Sequence, residues 1–236
     1  MRIPNEDRSI IVKPSYETAI RRRALSAREV MADGIVHLIG IVAGIIAAGA
    51  LLAIAILHRD PVELAVISIY AVALIAMLSF SAAYNFAASI RWREIFYRFD
   101  HAGIFALIAA TYTPFTVLRL DGGWGDGLTA LVWTVAGIGI ALKIGFARRF
   151  EAFFVVLYLA LGWIGLIAYE PLMASLGPTT LVLLAAGGVL YTFGVIFHVW
   201  ERLPFQRAVW HGFVVAAAGV HYTAVLNEVF IRHPHV

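Results

Sequence analysis

The chain has 236 residues, of which 61% are hydrophobic and only 14% charged, with a formal net charge of +3. A soluble domain carries roughly 25% charged residues, so this composition excludes an ordinary soluble fold and predicts an integral membrane protein. The absence of cysteine excludes disulfides, a thiolate nucleophile and cysteine-ligated zinc.

Seven apolar runs long enough to cross a bilayer follow a basic start. We predict a cytoplasmic tail over residues 1–30, within which residues 15–30 could form an interfacial helix. A membrane domain is expected over residues 31–230 and a short outer tail over residues 231–236. The predicted spans cover residues 34–57, 62–88, 99–118, 128–146, 153–169, 179–200 and 207–230. The basic stretch 91–98 is predicted as a loop and the glycine-rich stretch 119–127 as a non-helical turn.

Lysine and arginine are distributed unevenly between the two ends of these spans. Of the 18 such residues, all but Arg59, Arg119 and Arg232 fall on the side of the amino terminus. Positive charge accumulates on the cytoplasmic side, so we predict a cytoplasmic amino terminus and an outer carboxy terminus. The fold class is therefore an all-α seven-transmembrane helix bundle, multi-pass in the inner (plasma) membrane. The basic residues serve this topology and contact lipid headgroups, and no nucleic-acid partner is expected.

Polar residues that are expensive in lipid collect at the cytoplasmic ends of the spans, and this is the strongest functional signal in the chain. Several are spaced four residues apart, which places both members of a pair on one helix face. The cluster contains His37, Ser81, Asn85, Asp100, His101, His198, Arg207 and His211. Asp33, four residues before His37, shares a face with it at the start of the first span.

Three members of this cluster also have a purely structural interpretation. Asp100 would equally serve as an N-cap at the start of the third span. His37 would form a hydrogen bond within the bundle, and His101 would support Asp100 rather than react.

Several motifs in the same order resemble the bacterial hemolysin III family, which belongs with the progestin and adipoQ receptors. The resemblance extends over residues 26–228. It is carried by Glu29 with His37 and by residues 81–85, 100–105, 111–115, 162–165, 191–197 and 209–211. It implies seven helices and a site open toward the inner leaflet. In many members it also implies zinc held by three histidines near a serine and an aspartate, and the related ceramidases imply hydrolysis of lipid amides or esters.

The family serine and aspartate match Ser81 and Asp100, but two of the three zinc-ligand positions are substituted. In this chain the three ligand positions hold Asn85, Arg207 and His211. A carboxamide is a poor zinc ligand and a guanidinium cannot lose its proton to bind a metal, so only His211 remains unless His37, His101 or His198 contributes a ligand. No cofactor is therefore expected, and zinc is the one that the resemblance suggests.

Three functions remain open. We prefer a metal-free sensor or regulatory protein whose polar cluster is reached by membrane lipid or by a lipid-like small molecule. The first alternative is a zinc-dependent hydrolase of lipid amides or esters, in which Asp100 is the base, Ser81 orients water and His101 assists. The second is a pore or proton-linked transporter, although the spans lack spaced charges through their outer half.

Arg207 suggests a replacement for the missing metal. We expect its guanidinium either to pair with Asp100, with Asn85 bonded nearby, or to extend to the lipid headgroups without entering the cluster.

Overall fold

The structure, a computed structural model, describes residues 25–146 and 148–231, and these are helical apart from short connections. The helices are α1 (Ala27–His58), α2 (Pro61–Phe86), α3 (Ile90–Leu118), α4 (Gly122–Gly145), α5 (Glu151–Gly162), α6 (Tyr169–Ser175), α7 (Pro178–Val199) and α8 (Gln206–Leu226). A 3₁₀ turn, Ile164–Ala168, separates α5 from α6, and a π-helical turn, Asn227–Ile231, follows α8.

Seven helical segments in the described part of the chain are long and apolar enough to span a membrane. Six are single runs, while the fifth, Glu151–Ser175, combines α5, the 3₁₀ turn and α6. Large apolar side chains also cover the outside of the bundle, as at Leu38, Ile46 and Val72. A helix that is apolar on all faces is typical of a lipid environment. The predicted seven-helix membrane bundle is confirmed. The orientation of its termini stays a prediction, and the predicted interfacial helix lies largely outside the described residues.

The helix starts follow local capping. Ser26 and Glu29 form a reciprocal capping box at the start of α1, and Asp60 accepts the first free backbone N–H groups of α2. Ser89 accepts a hydrogen bond from Trp92 N, so α3 begins at Ile90. The prediction of a loop over residues 91–98 is wrong, because this cap allows the basic stretch to form the first turns of α3 instead.

The prediction of a non-helical turn over residues 119–127 is also wrong from residue 122 onward, since α4 begins at Gly122. Glycine weakens a helix interior, but here it permits a close approach of two backbones. A Cβ added to Gly125 would lie 2.6 Å from Leu120 O and 2.7 Å from Thr116 O. Gly125 therefore lets the first turns of α4 lie directly against the end of α3.

The fifth span is broken where the sequence predicted a continuous helix. The Tyr112 hydroxyl from α3 donates to Gly162 O at 2.7 Å and accepts from Gly165 N at 3.0 Å. One side chain thus satisfies the backbone groups that the break would leave without partners, as a membrane interior requires.

Two buried apolar clusters hold the bundle together. The larger joins α1, α2, α3 and α8 and includes Leu51, Tyr70 and Val225. The smaller joins α3, α4 and α5 around Phe105 and Phe154. α5 packs only sparsely against α7, so a cleft remains between these two helices.

Candidate functional site

The cleft between α3, α5, α7 and α8 encloses a cavity of about 1250 Å³, counted with its open side. Most of its lining is apolar, including Ile108, Leu159 and Val195. Its acidic and histidine side chains, His221 apart, lie toward the ends of α3, α5, α7 and α8 that also carry the basic residues, which we call the basic end. This polar end holds Ser81, Asp100, His101, Glu151, His198 and His211.

Asp100 lies ten residues inside α3, not at its start. Since Ser89 caps the helix, the interpretation of Asp100 as an N-cap is wrong. Its carboxylate is within reach of the buried Ser81 side chain from α2. His101 Nδ1 is 3.6 Å from Asp100 Oδ2 and 3.0 Å from Tyr97 O. A carbonyl oxygen only accepts a hydrogen bond, so His101 Nδ1 carries the proton. The ring lies beside the Asp100 carboxylate and helps to hold it in position.

His211 contacts α1 in addition to the cavity. Its Nδ1 lies 2.6 Å from Asp33 Oδ1, and His37 Nε2 lies 3.7 Å from the same oxygen. All three side chains are buried, with exposed fractions of 3–9%. One ligand atom from each lies within 4.8 Å of the others, so these three residues could hold a metal ion.

Asn85 and Arg207 form a hydrogen bond with each other, and they stand at two of the positions where the resemblance implies zinc ligands. Asn85 Nδ2 donates to Ser81 O at 2.9 Å, and Arg207 Nη1 donates to Asn85 Oδ1 at 3.5 Å. Within residues 25–146 and 148–231 no ion pair joins Arg207 to Asp100. The expected ion pair is therefore corrected to a hydrogen bond between the two substituted positions. Together with His211 they do not form a zinc site, because neither side chain there is a competent ligand.

Sequence reasoning missed a charged group beside this site. The Lys143 side chain from α4 is fully buried, and its Nζ lies 3.1 Å from Glu151 Oε2 and 3.3 Å from the Tyr97 hydroxyl. Tyr97 also donates a hydrogen bond to Glu151. In the sequence, Lys143 contributed only to the predicted orientation in the membrane. Its position inside an apolar helix is the signal that could have identified it, because a lysine there can face the interior of the bundle.

The sequence placed His37 and His211 in one cluster at the same membrane depth, but it did not predict the contact between Asp33 and His211. The two residues that bond, Asp33 and His211, are 178 positions apart. Only the packing of the first helix against the last brings them together.

Known proteins are similar to this chain in sequence over most of its length. Residues 27–222 match the sequence profile of the family described as Haemolysin-III related. The chain is 36% identical to Hemolysin-3 of Bacillus cereus over 199 residues, covering 84% of this chain and 91% of that protein. It is 35% identical to the Hemolysin-3 homolog of Bacillus subtilis (strain 168), over 84% of this chain and 93% of that protein. The human monocyte to macrophage differentiation factor is 28% identical, over 76% of this chain and 80% of that protein.

Proposed function

Given that this chain belongs to the haemolysin-III-related family, we propose that it is a lipid-binding sensor or regulatory membrane protein. Its ligand is membrane lipid or a lipid-like small molecule with one long apolar chain and a small polar group. The observation that carries this proposal is the cavity, whose lining is mostly apolar and whose acidic and histidine side chains, His221 apart, lie at the basic end.

The two regions of the cavity suit the two parts of such a ligand. Ligand pockets combine apolar walls with a few convergent polar groups that fix orientation. Here Ser81 and Asp100 would receive the polar group of the ligand, while Ile108, Leu159 and Val195 would contact its chain. Sparse packing between α5 and α7 supports lateral entry from the bilayer.

Zinc-dependent hydrolysis at the family position has less support. Asn85 and Arg207 replace two ligands and bond to each other, so the residues present do not fit zinc there. A pore also has less support, because two buried acids toward the opposite end, Glu63 and Glu228, do not line the cavity. The Glu228 carboxylate accepts hydrogen bonds from Thr180 Oγ1 at 2.6 Å and from Gly177 N at 3.1 Å.

A pair of neighbouring residues on α7 provides the test. Val195 lines the cavity, whereas Ile196 points away from the bundle and is 50% exposed. Filling the cavity should exclude the ligand, so we expect Val195→Trp to weaken binding by more than about tenfold, or roughly 1.4 kcal/mol. The matched control Ile196→Trp should leave binding unchanged.

The measurement is a titration of delipidated protein in detergent with a fluorescent sixteen-carbon fatty acid and with a fluorescent ceramide. Equal affinity in Val195→Trp and Ile196→Trp would show that the cavity is not the binding site. Release of fatty acid from the ceramide, abolished by Asp100→Asn, would replace the sensor proposal with a hydrolase.

A further inference from the structure

Three side chains from the first and last helices meet at the basic end, and only His211 among them stands at a position where the resemblance implies a zinc ligand. We propose that Asp33, His37 and His211 form a binding site for a divalent transition-metal ion of the Zn²⁺ class. The ion would join α1 to α8. The proposal does not depend on lipid binding in the cavity.

The ligand set suits such an ion. Two imidazoles and one carboxylate are common zinc ligands, and three protein ligands leave one position for water. Metal–ligand bonds of about 2.0–2.2 Å place tetrahedral ligand atoms about 3.4 Å apart. The separation of 3.7 Å between His37 Nε2 and Asp33 Oδ1 is close to that value. The shorter separation of 2.6 Å between His211 Nδ1 and Asp33 Oδ1 is a hydrogen bond that an ion would replace after a small carboxylate rotation.

One ligand atom lacks the bond that its burial demands. His37 is only 5% exposed, and its Nε2 has no hydrogen-bond partner among the described residues. Phe86 packs edge-on against the ring at 5.6 Å, and the ring of His211 is 4.3 Å away. Buried polar atoms nearly always have a partner, and an ion is one explanation for an atom that has none.

The two helices are held in position on both sides of the cluster. One turn before Asp33, Glu29 Oε1 accepts a hydrogen bond from Phe205 N at 2.9 Å. One turn after His37, Gly40 lets α8 approach so closely that a Cβ there would lie 2.8 Å from Val215 Cγ2. The ligands therefore project from rigid elements whose spacing is already set, which favours metal binding.

The negative charge of Asp33 also favours a bound cation. Asp33 is a buried carboxylate on a membrane-spanning helix, where an isolated negative charge is costly. The Arg207 guanidinium, one turn before His211, bonds to Asn85, and no ion pair joins it to Asp33 in the described part of the chain. A divalent cation held by the two imidazoles would compensate the carboxylate.

The test uses the full-length chain, purified in detergent without a histidine tag, stripped with a chelator and titrated with Zn²⁺. We expect one Zn²⁺ per chain by elemental analysis and a higher Tm in the presence of the ion. His37→Gln and Asp33→Asn should each weaken binding by more than about 100-fold, the upper range for losing a supporting partner alone. Two controls should bind like the wild type: His221→Gln in the cavity, and His233→Gln with His235→Gln in the terminal tail.

A ligand exchange separates coordination from folding. The chain has no cysteine, so His37→Cys introduces a single thiolate, itself a zinc-type ligand. With Co²⁺ this variant should bind the metal and show a sulfur-to-cobalt charge-transfer band that the wild type lacks. The proposal is overturned if the wild type binds no Zn²⁺, if His37→Gln and Asp33→Asn keep wild-type affinity, or if cobalt-loaded His37→Cys shows no such band.

Discussion

At the residue scale, Asn85 and Arg207 stand at two positions where the family resemblance implies zinc ligands. Asn85 and Arg207 come from helices distant in sequence, yet their side chains are within 3.5 Å of each other. Without Arg207, Asn85 Oδ1 would lose this donor, and without Asn85 the Arg207 guanidinium would lose this acceptor. The sequence left two alternatives for the guanidinium, an ion pair with Asp100 beside Asn85 or an extension to the lipid headgroups. That choice depends on side-chain direction, which residue type and spacing do not determine.

We expect Arg207→Ala to cost about 0.5–1.5 kcal/mol of unfolding free energy, the range of an ordinary hydrogen bond. A buried ion pair broken on one side would cost about 3–5 kcal/mol instead. The measurement is reversible denaturation in mixed detergent micelles.

Asn85→Ala is the matched control for Arg207→Ala and should cost a similar amount. The double variant should cost less than the two single costs added together, because both remove one shared bond. A cost above about 3 kcal/mol for Arg207→Ala would restore the ion pair with Asp100.

At the element scale, the number and order of the spans could be predicted from the sequence because hydropathy reports directly on burial in lipid. The ends were less predictable. Residues 91–98 and 122–127 extend α3 and α4 because of one cap at Ser89 and one close backbone contact at Gly125. The break in the fifth span could not be predicted at all, since it depends on a tyrosine 50 residues earlier in the chain.

Tyr112→Phe should destabilise the break specifically. It removes the donor to Gly162 O and leaves Gly165 N without its acceptor, and an unsatisfied buried donor costs about 1–3 kcal/mol. We expect a lower Tm and faster hydrogen exchange at residues 162–166. Tyr169→Phe, on the same span but 57% exposed, should change neither quantity. Unaltered exchange in Tyr112→Phe would show that the break holds without the hydroxyl.

At the scale of the whole molecule, the bundle closes by packing its first helix against its last. Composition predicted the membrane fold and the positive charges predicted its orientation. The sequence also placed Ser81, Asp100, His101 and His211 at one depth, and all four line one cavity. It did not predict Lys143 or the pairing of Asp33 with His211, because contacts between helices so distant in the chain leave no local pattern.

The orientation can be tested with single cysteines, since the chain contains none. Asp121 and Glu201 are exposed and lie in connections at opposite ends of the bundle. With a cytoplasmic amino terminus, a membrane-impermeant maleimide should label Asp121→Cys in intact cells and should label Glu201→Cys only after permeabilisation. The reverse pattern would invert the topology and place the polar end of the cavity at the outer leaflet.

The hydrogen bond between Glu29 and the backbone of Phe205 joins residues 176 positions apart. During synthesis, α1 therefore enters the bilayer long before the helix that completes its contacts has been translated. Until then Asp33 and His37 sit in a membrane segment without their partner His211, a costly state for polar groups in lipid. Assembly of the basic end is thus a late event in biogenesis, and a nascent chain that stops before α8 presents α1 to the membrane with its polar face uncovered.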